Sequence, residues 1–107
     1  MQLTHARQKV LRQLQSRQGR KKSDYIVCEG WHVCGEAVQA APEWIEFGVV
    51  SESAVKQERW SGNESDFPLH VVTESEFAQF AQTETPQGVL LVLRRPEPAV
   101  ASVELPF

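Results

Sequence analysis

Arg17-Gln18-Gly19-Arg20-Lys21-Lys22-Ser23-Asp24-Tyr25-Ile26-Val27-Cys28-Glu29-Gly30 runs from a basic turn through a short apolar segment into an acidic-glycine corner. Tyr25 to Cys28 is too short for a buried helix. Three of its four residues are β-branched or aromatic, so it is predicted to be a strand covered on both faces. Gly30 lets the backbone turn where a Cβ interferes, and Trp31 opens a helical pattern. A strand of this kind belongs in an α/β domain. Arg17, Arg20, Lys21 and Lys22 at its entry are candidate phosphate contacts.

Upstream of that stretch, Thr4 is placed to cap a helix reaching about Ser16, because Leu3, Ala6, Val10, Leu11 and Leu14 fall on one arc at helical spacing. His5, Lys9 and Arg12 lie opposite, as a basic ridge in water. Gly19 is expected to end this helix and expose the turn Arg20 to Lys22. Downstream, Trp31 to Ala41 reads as a second helix with Trp31, Val33, Cys34, Ala37, Val38 and Ala41 inward and His32, Gly35, Glu36 and Gln39 outward; Pro42 stops it. His32 reads as a surface histidine.

Trp44 to Val50 is predicted to be a strand, with Ile45, Phe47 and Val49 alternating against Glu46 and Gly48. Glu52 to Trp60 carries a weak helical signal, followed by the polar loop Ser61 to Asp66. Leu69 to Val72 reads as a third strand, and Thr73 or Ser75 as the cap of a helix over Glu74 to Ala81 that buries Phe77 and Phe80. Val89 to Leu93 is a continuous apolar strand. Alternating strands and helices of this kind predict a three-layer α/β/α sandwich around a mixed sheet of at least four strands.

The 107 residues suffice for one core and leave no room for a separate cofactor-binding domain. The net charge of −3 hides an asymmetry: residues 1–22 carry +7 with no acid, and residues 23–107 carry −10. That pattern suits an acidic body with a basic face for a polyanion, and equally a solvated helix face. No apolar run reaches membrane-spanning length and Met1 to Arg7 lacks a signal-peptide core, so no membrane partner and a cytoplasmic location are expected. Cys28 and Cys34 read as core thiols of a reducing compartment. With His32 they match no zinc spacing and lack a fourth ligand.

No glycine-rich phosphate loop, metalloprotease helix or nucleophile elbow is present. Glu29 and Glu36 read as a strand-end and a surface carboxylate, not an acid–base pair. The loop Thr83-Glu84-Thr85-Pro86-Gln87-Gly88 offers two threonine hydroxyls, the Gln87 amide, the fixed Pro86 and the permissive Gly88. These groups suit hydrogen bonding to phosphates, 2′-hydroxyls or base edges, and equally a tight turn before the last strand.

Lys9-x-Leu11-Arg12-x-Leu14, Arg20-Lys21-Lys22-Ser23, Tyr25-Ile26-Val27-Cys28-Glu29-Gly30, Glu36-Ala37 and Thr83-Glu84-Thr85-Pro86-Gln87-Gly88-Val89, in that order, resemble the N-terminal substrate-binding domain of SpoU/TrmH-type RNA methyltransferases. The resemblance spans roughly Lys9 to Leu93. It implies an L30e-like fold that helps hold ribosomal or transfer RNA. Arg20, Lys21 and Lys22 become expected RNA-backbone contacts, Lys9, Arg12 and Arg17 extend the footprint, and Glu29, Gly30, Thr83, Thr85, Pro86, Gln87 and Gly88 fall on the RNA-facing rim.

In that family a C-terminal knotted (SPOUT) domain binds S-adenosylmethionine, dimerises, and transfers the methyl group, usually to a ribose 2′-hydroxyl. Residues 1–95 then form the RNA-binding domain and residues 96–107, rich in proline, a linker toward a catalytic domain outside this sequence. This chain is therefore expected to hold no cofactor and no methyltransferase activity alone, its parent being a homodimer. Cys28 departs from the aliphatic residue more usual there. Two rival readings are a stand-alone RNA-binding protein of L30e or L7Ae type, and a protein-interaction domain whose basic face serves solubility.

Overall fold

A computed structural model describes residues 3–56, 67–84 and 86–94. The chain opens with α1 (His5–Gln13), capped by the Thr4 hydroxyl, which accepts from the Arg7 N–H at 3.2 Å. Leu11 and Leu14 are fully buried beneath it, and burial of each contributes about 1.5–3 kcal/mol. Ala6, expected on the inner arc, is exposed.

The predicted glycine stop after α1 is replaced by a second helix. The chain breaks at Leu14 to Ser16 and starts α2 (Arg17–Lys22), whose cap is the Ser16 hydroxyl accepting from the Gly19 N–H at 2.9 Å. Gly19 lies inside α2, and a Cβ there would run into the Gln13 carbonyl. Its missing side chain permits close approach of two helices rather than ending one.

Next comes β1 (Tyr25–Glu29), then α3 (Trp31–Ala40) and a 3-10 turn at Pro42–Trp44. The turn takes up Trp44, expected to open the next strand. After it come β2 (Ile45–Ser51) and α4 (Glu52–Lys56), then β3 (Leu69–Val72), α5 (Glu74–Phe80) and β4 (Val89–Arg94). Of the weak helix expected over Glu52 to Trp60, residues beyond Lys56 lie outside the described part, as do the polar loop to Asp66 and the linker from residue 96.

The sheet order is β1-β4-β2-β3, with β4 antiparallel to both β1 and β2 and β2 parallel to β3. It is therefore mixed, and helices cover both sides. One face packs Phe47, Val49, Leu90 and Val92 against Leu11 and Leu14 of the α1 segment and Phe77 and Phe80 of α5. The other packs Cys28, Val50, Val89, Leu91 and Leu93 against Cys34 and Ala37 of α3. The expected α/β/α sandwich is thus the fold.

Two details of the strands differ from expectation. Tyr25 and Val27 pack toward the first core and Ile26 toward the second, so β1 is covered on both faces; yet it is an edge strand of the sheet, and these three stay half-buried. In β2 the pairing register shifts between Ile45, opposite Leu93, and Phe47, opposite Val92. This bulge puts Ile45 in the α3-side core and Phe47 in the α1-side core, breaking the alternation read from the sequence.

Thr73, not Ser75, caps α5 in a reciprocal capping box: the Thr73 hydroxyl accepts from the Glu76 N–H at 3.1 Å and the Glu76 carboxylate from the Thr73 N–H at 3.0 Å. In the same first turn, the Glu74 carboxylate accepts from the Ser53 N–H at 2.8 Å, tying α4 to α5. Both carboxyls titrate below their ordinary value of 4.5, Glu74 because the Ser53 hydroxyl and N–H donate to it and Glu76 because the Thr73 N–H and hydroxyl do. A folded pKa depressed in this way gives stabilisation that is complete above 4.5 and lost as pH falls through the lower folded values. Amide-exchange protection at Ser53, Thr73 and Glu76 is expected to fall on acidification through that range. Carboxyl titrations by NMR with both midpoints at 4.5 would show instead that water alone solvates the two groups.

Candidate nucleic-acid interface

β1, β2 and β3 all end at the same edge of the sheet where β4 begins, so the Glu29-Gly30 corner faces the loop that enters β4. Gly30 has φ +98°, and its N–H donates to the Val89 carbonyl at 3.1 Å. α3 therefore starts without a side-chain cap of its own. The Gln87 side chain supplies it from the loop, its Oε1 accepting from the Trp31 N–H at 2.9 Å.

The Glu29 carboxylate fastens the other end of the same loop. One oxygen accepts from the Gln82 N–H at 2.6 Å and the other from the Thr83 hydroxyl at 2.9 Å. Together Glu29, Gly30, Thr83 and Gln87 line a cavity of about 160 Å³. The two polar stretches singled out in the sequence, 29–30 and 83–88, thus meet at one rim. Glu29 and Gln87 act there on the protein's own backbone, and Glu36 sits elsewhere, paired with exposed His32 at 3.2 Å.

Gly88 is buried with φ +88°, and its carbonyl accepts from the Ser51 N–H at 2.9 Å. Its role is to let the loop enter the sheet beside Ser51 and Ala54. Thr83, Pro86 and Gln87 are exposed on the rim, and Thr85 lies outside the described residues.

All six candidate cations are exposed, but they divide by what they touch. Arg20 donates to the Leu14 carbonyl at 3.1 Å, the Gln15 carbonyl at 3.3 Å and the Gln82 amide oxygen at 3.3 Å. It joins the end of α1, α2 and the 82–88 loop, and Gln82 in turn reaches Glu29. Arg12 lies over the Phe80 ring at 5.9 Å. Lys9 stands in solvent on α1 and Arg17 opens α2; Lys21 and Lys22 close it, and among the described residues neither lysine is paired with an acid.

Two contributors escaped the sequence reading. Arg94 is exposed at the end of β4 and registers opposite Tyr25, adding a cation at the start of β1. Only antiparallel pairing of β1 with β4 brings it there, so no local pattern announces it. Gln82 joins Arg20 to Glu29, and its place one residue before the polar run 83–88 was its only signal.

Cys28 and Cys34 are buried free thiols, the Cys34 thiol donating to the Cys28 carbonyl at 3.3 Å. Burial pushes the Cys28 pKa to about 11 and raises that of Cys34 further, so both are inert packing groups. Among the described residues no cluster of side chains suits a metal ion, and no helix is long and apolar enough to cross a membrane.

Among solved structures, the fold is similar to a protein from Porphyromonas gingivalis assigned to the RNA methyltransferases of the TrmH family, at 22% identity and a TM-score of 0.65 over 90% of this chain and 37% of that one. It is also similar to an rRNA methyltransferase from Sinorhizobium meliloti, at 19% identity and a TM-score of 0.60 over 88% of this chain and 35% of that one. The AdoMet-bound form of the latter gives 19% identity and 0.59 over 89% and 35%. The chain therefore spans little more than a third of the length of these proteins. No curated protein matches it significantly. The family model of the MRM3-like substrate binding domain matches residues 6–91, and the chain belongs to that family.

Proposed function

We propose that this domain docks RNA for an S-adenosylmethionine-dependent RNA methyltransferase, a cytoplasmic homodimer that modifies a ribose 2′-hydroxyl of ribosomal or transfer RNA. Positioning is this chain's share of the work; the cofactor and the chemistry belong to a C-terminal catalytic domain joined through residues 96–107. The observation that carries the reading is the closure of the 82–88 loop onto the Glu29-Gly30 corner, through Gln87 to Trp31 and Glu29 to Thr83, beside an exposed cationic helix. Two buried free thiols accord with a reducing compartment.

The cations attract phosphates whatever the sequence, while the rim offers hydroxyl and amide groups for shape and 2′-hydroxyl contacts. Lys9, Arg12, Arg17, Lys21 and Lys22 are the proposed phosphate contacts, with Arg20 holding the scaffold they stand on. Titrating the chain with ribosomal and transfer RNA fragments over a range of salt tests this. Lys21→Gln/Lys22→Gln is expected to weaken binding to all of them and to flatten the log K against log[salt] slope by about 0.7 for each single-strand phosphate that the variant no longer neutralises. A slope equal to that of the unaltered protein would remove α2 from the interface.

A further inference from the structure

β1 is one of the two edge strands, and among the described residues no strand pairs with its outer edge, which leaves a row of backbone N–H and C=O groups there. Its two ends differ in chemistry. At its start stand Lys21, Lys22 and, across the register from Tyr25, Arg94, with Asp24 as the one exposed acid among them. At its finish stands the cavity lined by Glu29, Gly30, Thr83 and Gln87. Between them a cavity of about 110 Å³ is lined by Arg20, Tyr25, Ile26 and Val27.

We propose that the free edge of β1 is the track of an unpaired RNA segment, entering at Lys21, Lys22 and Arg94, stacking one base on Tyr25 in the groove, and ending at the Glu29–Gln87 rim. The proposal rests on the RNA reading above and narrows it to single-stranded RNA. Charge decides the occupant: cations cluster at the strand's start, where a phosphate is attracted, and Glu29 at its end repels phosphate and favours a hydrogen-bond donor such as a 2′-hydroxyl or base amine. A half-buried aromatic ring beside a guanidinium suits a base face, which every unpaired nucleotide can offer. A duplex keeps its base faces stacked inside and cannot fill so small a groove.

The test is an NMR and anisotropy titration of the whole chain with a short single-stranded RNA and with the same sequence as a duplex. Single-stranded RNA is expected to shift the amides of residues 24–27 and to bind more tightly than the duplex. Tyr25→Phe is expected to keep this preference, and Tyr25→Leu, which preserves the bulk packed toward the core, to weaken single-strand binding about 5- to 100-fold with little change for the duplex. Equal binding of both RNAs, with shifts at 17–22 and none at 24–27, would overturn the track and leave the RNA reading standing. Binding of neither RNA would overturn both. Concentration-dependent shifts along 25–29 without RNA, together with dimers in sedimentation, would give the edge to a second copy of the chain and overturn the track.

Discussion

Gly88→Ala is expected to lower stability by about 2–5 kcal/mol, the sum of left-handed backbone strain and overpacking. With φ at +88°, any side chain is strained at this position before space is considered. A Cβ there would stand 2.5 Å from the Ser51 Oγ and 3.1 Å from the Ala54 Cβ. Ser51 cannot move aside freely: its N–H donates to the Gly88 carbonyl at 2.9 Å and its hydroxyl accepts from the Ala54 N–H at 3.3 Å. Relief therefore means shifting the 82–88 loop out of the sheet, which also withdraws Gln87 from the Trp31 N–H. Urea denaturation measures the loss, and the Trp31 amide should lose exchange protection alongside. A change within about 0.5 kcal/mol, the range of an ordinary surface substitution, would show that the loop enters the sheet some other way.

Phe47→Ala is expected to cost about 3–5 kcal/mol, a large part of the 5–15 kcal/mol typical of a whole domain. The ring is 1% exposed and stands at the centre of the α1-side core among Leu11, Leu14, Phe77 and Phe80. It also seats polar groups: the Arg7 guanidinium lies 5.1 Å over its centroid, and His70 meets it edge-on at 5.9 Å. Arg7 in turn lies 2.7 Å from His70 Nε2, so the ring, the histidine and α1 are held as one cluster. Removing the ring should loosen α1 in particular, seen as faster amide exchange at Leu11 and Leu14 than in β4. A loss below about 1.5 kcal/mol, as for a volume-conserving swap, would show that the ring is not enclosed between the sheet and α1.

These two sites mark where the sequence was legible and where it was not. Glycine before a continuous apolar strand announced a turn at Gly88, and the alternation around Phe47 announced a strand, because both signals are local. Ser51 and Ala54, which make Gly88 irreplaceable, are brought to it only by the pairing of β2 with β4. The bulge that reverses Ile45 has no local mark, since one extra residue changes the facing of side chains without changing their hydrophobicity. Gly19 misled for the same reason. A glycine that ends a helix and one that lets two helices touch look alike in the letters, and only the nearby Gln13 carbonyl separates them.

The four strands, the helices α1, α3 and α5, the sandwich, the basic N-terminal region and the two polar stretches were set by the sequence alone, because periodicity, caps and composition act over a few residues. Tertiary structure decided what those residues do. It turned Glu29, Arg20 and Gln87 into ties within the protein, left Lys21 and Lys22 exposed, added Arg94 to the cations, and put β1 at the edge. Each outcome depends on pairing between residues tens of positions apart, which burial of two cores and satisfaction of backbone hydrogen bonds select together and no short stretch encodes.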